Sequence, residues 1–496
     1  MKKIFLYMGL AALTFSSCDL NVNDDPNYPS NGSITTGLEF PSAQNFIAVT
    51  SCDAMFNYAG FFAQYFEQMP EANQFNDIAE LSLTETSDAI GRSYRNLYAG
   101  ALQDLEDIKG KTTNKADLFA ATAMRAFCFQ LMVDNTSDAP YSEALNGNSQ
   151  PKWDDGQTVY KGVLAELDAA EAALNASSDK MTMTDMMFNK DINQWKGYVN
   201  ALRLRMYLRM YDKDNTVKDK IIALVNANNF FTGDAKLDIY SDQNGNRSPF
   251  YGTYYVLGTG NHCAAYPIIS YMKFTSDPRI AYAFNKAAAK GDYVGQFSGA
   301  KADMGNWNGD WKNKDVSVVN YELYDGSGKT RPAYLFTQAD LQFLIAEVKL
   351  RFQSDDAGAK NAYEAAIRAD FSARGMSGVE SFLAGNEVNW EKSSDKLKLI
   401  YMQKWVALFY MDNMEAWSEI RRTDYPQLST ASAKDINDKK ATYNPGDLIL
   451  NYRSSLKDPK SLMKRMYYPL TARQLNPNTP SASGFYGSDP VWWDVK

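Results

Sequence analysis

The stretch that most constrains the fold is residues 400–428, where apolar residues recur at helical intervals in two consecutive segments. In the first segment Met402, Trp405 and Phe409 follow each other at steps of three and four residues, which places them on one face of a helix. The second segment ends before Pro426, because proline disfavours helical backbone at the residue that precedes it. The stretch therefore predicts two amphipathic helices that pack as a hairpin within a larger helical domain.

Helical periodicity also extends over most of the chain before residue 237 and returns after residue 336. We predict helices over residues 46–69, 87–108, 114–134, 160–174, 194–211, 217–227, 337–352 and 356–374. They form pairs in units of roughly thirty to forty residues, a period that tetratricopeptide-like repeats show. The sequence therefore predicts a mostly α-helical protein built on a tetratricopeptide-like helical-repeat scaffold.

Two regions interrupt this helical pattern. Residues 238–330 are rich in Gly, Asn, Tyr and Trp, a composition typical of loops and short strands. The segment after residue 425 is rich in Pro and Asn and is predicted to be mostly irregular. Because no clean linker separates these regions from the helices, we predict one domain over residues 41–496 that carries a loop-rich insertion at about 238–330.

The first residues have the features of an exported lipoprotein. A basic start is followed by an uncharged, mostly apolar run of 12 residues, which is too short to span a bilayer and suits a signal peptide. Two serines and Cys18 come next, as in a lipobox. We predict a signal peptide over residues 1–17, lipid attachment at Cys18 and a flexible tether over residues 18–40. An ordinary cleaved signal with an incidental cysteine is the alternative.

Charge and cysteine content exclude several classes of function. The formal net charge of −8 argues against nucleic-acid binding, which requires a basic face. With Cys18 lipidated, Cys52, Cys128 and Cys263 remain, and their wide spacing does not fit a structural zinc site. One disulfide among them is possible in an exported protein, and Cys128 lies in an apolar helical run that predicts a core position.

Residues that could carry catalysis or bind a metal are few. His262 is the one histidine, so any Ser-His-Asp or Cys-His mechanism would have to use it, and we expect it to be a structural or a surface residue. Asp242 begins a segment with calcium-loop spacing, but Arg247 stands where such a loop needs glycine. The sequence therefore predicts no metal, no cofactor and no catalytic residue.

Four stretches together resemble one known family. They are the lipoprotein start that ends at Cys18, the segment MRAFCFQLMVDNTSDAPYSEAL at 124–145, the pair QKWVALF and EAWSEIRRTDYP within 400–428, and MYYPLTARQLNPN at 466–478. They resemble the SusD/RagB family of outer-membrane nutrient-binding lipoproteins of Bacteroidetes. The stretches follow the order of that family over nearly the whole chain.

The resemblance implies a function as well as a helical-repeat fold. It implies a lipid-anchored, surface-exposed outer-membrane protein that captures an oligosaccharide, or a peptide, without catalysis. It also implies delivery of that ligand to a SusC-like TonB-dependent transporter, over which the protein acts as a lid. Two alternatives remain open on the residues alone: a surface glycoside hydrolase, which needs two facing carboxylates, and a structural or adhesive lipoprotein that binds a protein.

Aromatic residues in the loop-rich insertion are the candidates for ligand contact. Flat rings on loops, with amides and carboxylates beside them, suit the apolar face and the hydroxyl groups of a sugar, and would suit a peptide equally. The predicted ligand-binding residues here are Trp307, Trp311, Tyr254, Tyr255 and Tyr321. Alternatively these rings cap the scaffold or line a protein interface.

An early loop, MPEANQFN at 69–76, supplies the remaining candidates. The corresponding loop contributes to the ligand site in the SusD/RagB family, so the resemblance implies ligand contact by Asn73 and Phe75. The match is one of position and not of a shared motif.

Overall fold

In the computed structural model, residues 34–84, 86–252, 258, 260–299, 311–320, 326–481 and 486–495 are described. Helices account for about 53% of the chain, which confirms the predicted mostly α-helical class. The predicted signal peptide, Cys18 and most of the tether lie outside the described residues. The single-domain boundaries stay a prediction.

The helices before the loop-rich insertion follow the predicted spans with small shifts from residue 87 onward, but not before it. They are α1 (Thr36–Cys52), α2 (Ala54–Phe62), α3 (Asn76–Ala79), α4 (Gly91–Arg95), α5 (Gln103–Lys111), α6 (Lys115–Thr136), α7 (Gly156–Asn175), α8 (Ile192–Met210) and α9 (Lys218–Ala227). A π-helical segment, Asn96–Leu102, joins α4 to α5. Side chains of Asn114, Asp155 and Asp191 cap the backbone N–H groups that begin α6, α7 and α8.

The later helices begin inside the insertion and continue to the C-terminal segment. They are α10 (Tyr266–Phe274), α11 (Arg279–Ala283), α12 (Gln338–Gln353), α13 (Asp356–Ala373), α14 (Val379–Leu383), α15 (Lys396–Leu408), α16 (Asn413–Thr423), α17 (Ala433–Asn437) and α18 (Leu470–Leu475). The predicted hairpin is present as α15 and α16, and α12 packs along α13 in the same way.

Three two-stranded antiparallel sheets join distant parts of the described chain. They pair β1 (Phe66–Gln68) with β5 (His262–Ala264), β2 (Asp138–Ala139) with β3 (Asp154–Asp155), and β4 (Ala235–Leu237) with β6 (Ala333–Phe336). The prediction of one helix over residues 46–69 is wrong at both its centre and its end. The helix breaks at Asp53, and residues 66–68 are extended because β5, almost 200 positions away in sequence, supplies their hydrogen-bond partners.

The core is continuous across the helical pairs. One helix in the described part of the chain, α6, is long and apolar enough to cross a membrane, and 89% of its most apolar window is buried inside the protein. Cys52, Cys128 and Cys263 are free, buried thiols, so the possible disulfide is not formed among them. Burial raises the pKa of each thiol, that of Cys52 to about 12.

Charged side chains within this core connect α8, α12, α15 and α16. Arg422 donates to both carboxylate oxygens of Glu347, at 2.8 and 2.6 Å, and also pairs with Glu419. The ammonium of Lys404 lies 2.9 Å from Glu419 and 2.8 Å from Asp340. We call the connected set the ionic core: Asp134, Arg205, Arg209, Asp340, Glu347, Lys404, Glu415, Glu419 and Arg422. All of these residues are buried, so the acidic and basic residues of EAWSEIRR serve helix packing.

Candidate ligand-binding site

The early loop and the end of the loop-rich insertion meet on one small sheet. In β1 and β5, Phe66 is opposite Ala264, and Gln68 is opposite His262. The chain at 317–318 adds a third extended segment, in which Ser317 accepts a 2.8 Å hydrogen bond from the Ala264 amide. We call the surface formed by residues 66–76, 262–264 and 311–318 the loop face.

Gln68 fixes the early loop to this sheet. Its side-chain oxygen accepts a 2.7 Å hydrogen bond from the Phe75 amide, and its side-chain nitrogen donates to the carbonyl of Asn261 at 3.1 Å. Gln68 is fully buried, so neither bond competes strongly with water. The side chain of Gln68, at the start of the early loop, therefore binds both the end of that loop at Phe75 and the segment before β5 at Asn261.

A reciprocal pair of hydrogen bonds joins the early loop to the segment that follows Trp311. The backbone N–H of Glu71 donates to the side-chain Oδ1 of Asn313, and the backbone N–H of Asn313 donates to the side-chain Oε2 of Glu71, each at 3.0 Å. Lys312 lies beside the same carboxylate, with 3.5 Å between Nζ and Oε1. These contacts bring together two segments that are 242 positions apart in the sequence.

Trp311 is half-buried on the loop face. It packs on a small apolar cluster of Met69, Cys263 and Val316, which lies apart from the main core. Lys312, the next residue, is exposed, and so are Asn73 and Gln74 in the early loop. A partly exposed indole with amide and ammonium groups nearby can pack on an apolar ligand face and bind its polar groups.

Phe75 lies on an aromatic stack that includes His262. The imidazole stacks on Phe75 at 5.0 Å between ring centroids and on Phe66 at 4.6 Å, and Phe61 meets it edge-on at 5.4 Å. Burial lowers the pKa of His262 to about 3, because a charged imidazole would lose its hydration there. His262 is therefore a neutral packing residue, the first of the two roles that the sequence predicted for it.

The carboxylates of the loop face are engaged in structural contacts. Burial raises the pKa of Glu67 well above its usual range, and hydrogen bonds with Ser298 and Gly299 oppose that rise. Asp315 accepts a 2.9 Å hydrogen bond from the Lys312 amide. With Glu71 bound to Asn313, these three groups hold backbone in place.

The candidate calcium segment has a different arrangement. Asp242 accepts a 2.8 Å hydrogen bond from Arg247 and lies 3.6 Å from Lys329, and these cations lower its pKa. Asn246 donates to the hydroxyl of Ser241 at 2.9 Å. Within the described ranges, no group of three or more His, Cys, Asp or Glu side chains is placed to hold a metal ion.

Of the predicted ligand-binding residues, Trp311, Asn73 and Phe75 lie in the two joined segments, but Trp311 packs on the small cluster with Cys263 whereas Phe75 packs on His262 and the main core. Trp307, Tyr254, Tyr255 and Tyr321 lie outside the described residues. Sequence analysis missed Gln68, Glu71 and Asn313, which build this face. No local pattern marks them, because each acts through a partner that only the tertiary fold brings near.

Comparisons with known proteins agree on one family. The model of the SusD-like family, described as starch-binding and associating with the outer membrane, matches residues 32–444. A search of curated proteins found no match.

Solved structures share the fold over nearly their whole length. A chitin-binding SusD homologue from Flavobacterium johnsoniae is 21% identical, with a TM-score of 0.73 over 93% of this chain and 99% of that one. A SusD homologue from Bacteroides uniformis is 21% identical, with a TM-score of 0.69 over 92% of this chain and 99% of that one. One from Bacteroides vulgatus is 20% identical, with a TM-score of 0.70 over 92% and 98%.

Proposed function

The chain belongs to the SusD-like family of outer-membrane-associated binding proteins, and on that premise we propose that it captures an oligosaccharide at the cell surface. Members of this family are binding proteins and not enzymes. The protein therefore holds its ligand without making or breaking bonds, and moderate affinity allows the ligand to be released onward.

The observation that carries this proposal is the joined loop face. Two segments far apart in sequence are tied by the Glu71–Asn313 hydrogen bonds, and one carries half-buried Trp311 while the other carries exposed Asn73. An indole that is already packed on Met69 and Val316 loses little freedom when a ligand binds. Sugar rings suit such a surface because their C–H faces are apolar and their edges carry hydroxyl groups. Trp307, Tyr254, Tyr255 and Tyr321 would extend this site.

The proposed cellular context follows from the N-terminal sequence and the family. Lipid attached at Cys18 would hold the protein on the outer membrane, since more than one acyl chain gives stable anchoring. A SusC-like TonB-dependent transporter would receive the ligand. Co-purification of this transporter with the native lipoprotein, and loss of glycan uptake in its absence, would test the delivery step.

The binding step is tested by calorimetric titration of the protein with panels of oligosaccharides and, separately, oligopeptides. We expect saturable binding of an oligosaccharide, and at least about tenfold weaker binding for Trp311→Ala, which corresponds to about 1.4 kcal/mol. Trp307→Ala should weaken the same binding.

Trp153→Ala is the matched control, because Trp153 is also half-buried but packs on Tyr468 and Tyr94 outside the loop face. It should leave affinity unchanged. Saturable binding of peptides alone would show that the ligand is a peptide and not an oligosaccharide. Equal affinity of Trp311→Ala and the unaltered protein would show that the ligand does not bind at Trp311.

A further inference from the structure

A cavity of about 550 Å³ opens beside the C-terminal end of α16, away from the loop face. Its walls come from residues 420–430, from Asn444 and Asp447, and from residues 458–464. Ligand sites for small molecules commonly have volumes of about 300–1,000 Å³. The cavity is therefore large enough for a small organic ligand.

Two neighbouring phenylalanines show how the cavity relates to the loop face. Phe61 contacts Phe66 and His262, which belong to the loop face. Phe62, the next residue, lines the cavity and packs on Trp417 at 5.0 Å between ring centroids. The end of α2 therefore lies between two separate surfaces, and the lining of the cavity includes no residue of the loop face.

The floor of the cavity is apolar and rigid. Phe62, Trp417, Ile420, Pro426 and Met463 line it and are buried, and the half-buried Leu428 and Leu462 supply its accessible apolar side chains. Trp417 donates a 2.7 Å hydrogen bond to the Met463 carbonyl, which ties α16 to the opposite wall. Such a floor can pack on the C–H face of a ligand without rearranging first.

Polar groups at the rim are available to a ligand. Gln427, Thr430 and Lys460 are exposed, and their side chains form no hydrogen bond with the described part of the chain. Asn444 is also exposed and donates to Asp447 Oδ2 at 3.0 Å, which leaves its carbonyl oxygen as an acceptor. The rim therefore offers both donors and acceptors beside an apolar floor.

The charges of the lining balance one another. The basic residues are Arg421, Lys460 and Lys464, and the acidic ones are Asp424, Asp447 and Asp458. A strongly ionic ligand would meet like charges on one side, whereas a neutral molecule with many hydroxyl groups would meet donors and acceptors throughout. The lining therefore favours a neutral, hydroxyl-rich ligand.

We propose that this cavity is a second binding site, for a short neutral sugar, distinct from the loop face. The choice of a sugar rests on the proposed function, while the existence of the site rests on the cavity itself. The floor packs on the sugar ring, and Gln427, Thr430 and Asn444 bind its hydroxyl groups.

The test is calorimetric titration of the full chain, purified in detergent, with maltotriose and with triacetylchitotriose, fragments of starch and chitin. We expect two sites per chain for at least one probe. Thr430→Trp places an indole at the exposed rim and should abolish one site, and Gln427→Ala should weaken that same site by about threefold to tenfold. Thr113→Trp, at an exposed threonine outside the cavity, is the matched control and should keep both sites.

The possible outcomes separate the two proposals. A single site lost in Trp311→Ala and kept in Thr430→Trp would overturn the second site and leave the proposed function intact. A single site that is kept in Trp311→Ala and lost in Thr430→Trp would support the cavity as the binding site and overturn the loop face. If neither probe binds to a folded protein, the cavity is not a site for these sugars. Thermal unfolding of each variant confirms that it is folded.

Discussion

The ionic core and the loop face use the same residue types for different ends. In both, carboxylates, cations, amides and aromatic rings join segments that are distant in sequence. In the ionic core every partner is buried, as in the pairing of Arg422 with Glu347 and Glu419. On the loop face the pair Glu71 and Asn313, which ties the two loop segments, remains reachable by water, although Gln68 is buried. Burial therefore decides whether a polar contact specifies the fold or only positions a surface.

The largest predicted effect comes from breaking the ionic core. Arg422→Met removes the cation that bridges Glu347 and Glu419, so that Glu347 is left with the partly exposed Arg351 and Glu419 with Lys404 and Arg209. Losing one partner of a buried ion pair typically costs about 3–5 kcal/mol. We expect the free energy of unfolding in urea to fall by about that amount.

Arg368→Met provides the contrast for Arg422→Met. Arg368 pairs with Glu380 at 2.7 Å but its side chain is 42% exposed, so the expected cost is at most about 1 kcal/mol. If both variants lost equal stability, burial would not distinguish the two kinds of pair.

The next effect is a pH dependence that belongs to the loop face. His262 binds a proton below pH 6.5 when unfolded, but burial lowers its folded pKa to about 3. Between these two pKa values only the unfolded chain binds the proton, so the free energy of unfolding falls as the pH is lowered from 6.5 toward 3. We expect it to fall by about 2–3 kcal/mol between pH 6 and pH 4.

His262→Phe keeps an aromatic ring between Phe66 and Phe75 and removes this proton-binding group. Since the chain has one histidine, the difference between the two pH profiles isolates His262. Urea unfolding at pH 4 to 7 measures it. Parallel profiles for the two proteins would show that the imidazole is hydrated in the folded state.

A smaller effect is expected when the early loop is released. Gln68→Ala removes the hydrogen bonds to the Phe75 amide and the Asn261 carbonyl, at a cost of about 1–2 kcal/mol. Hydrogen exchange at the Phe75 amide should become faster. Gln103→Ala, at an exposed glutamine, should change neither stability nor that exchange rate.

The smallest change in stability is predicted for Asn73→Ala, because exposed surface substitutions usually stay within about 0.5 kcal/mol. Affinity for the ligand should nevertheless fall severalfold, since Asn73 is an exposed amide in the loop that the Glu71–Asn313 hydrogen bonds tie to the segment of Trp311. Asn193→Ala, at an exposed position in α8, is the control and should bind normally. An unchanged affinity for Asn73→Ala would remove this residue from the site.

Much of the helical scaffold could be predicted because its signal is local. The spacing of Met402, Trp405 and Phe409 predicted α15, which ends one residue before Phe409, and helix pairs over the first half of the chain followed from the same periodicity. The prediction failed at residues 66–68, where the pattern is also compatible with a helix but long-range pairing with β5 decides the conformation. Local pattern is a weaker guide where tertiary contacts override it.

The candidate site was less accessible to sequence analysis. Trp311 stood out as an aromatic residue in a polar, glycine-rich segment, and the early loop was reached through the family resemblance. The contact between these two segments could not be predicted, because Glu71 and Asn313 are 242 positions apart and no periodic pattern in the sequence relates them. The cavity beside α16 likewise combines residues from four separate parts of the chain.

By itself, the sequence determined the helical class, the repeat-like pairing, the family and the aromatic loop segment, because each depends on a local pattern of residues along the chain. The tertiary structure alone decided which charged residues are buried, where β1 forms and which loops meet. The physical reason is that burial and long-range hydrogen bonding depend on contacts between segments, and these exist only once the chain has folded. Arginine and glutamate side chains therefore form a buried ionic core around α16, whereas the same residue types form an exposed ion pair at Arg368 and Glu380.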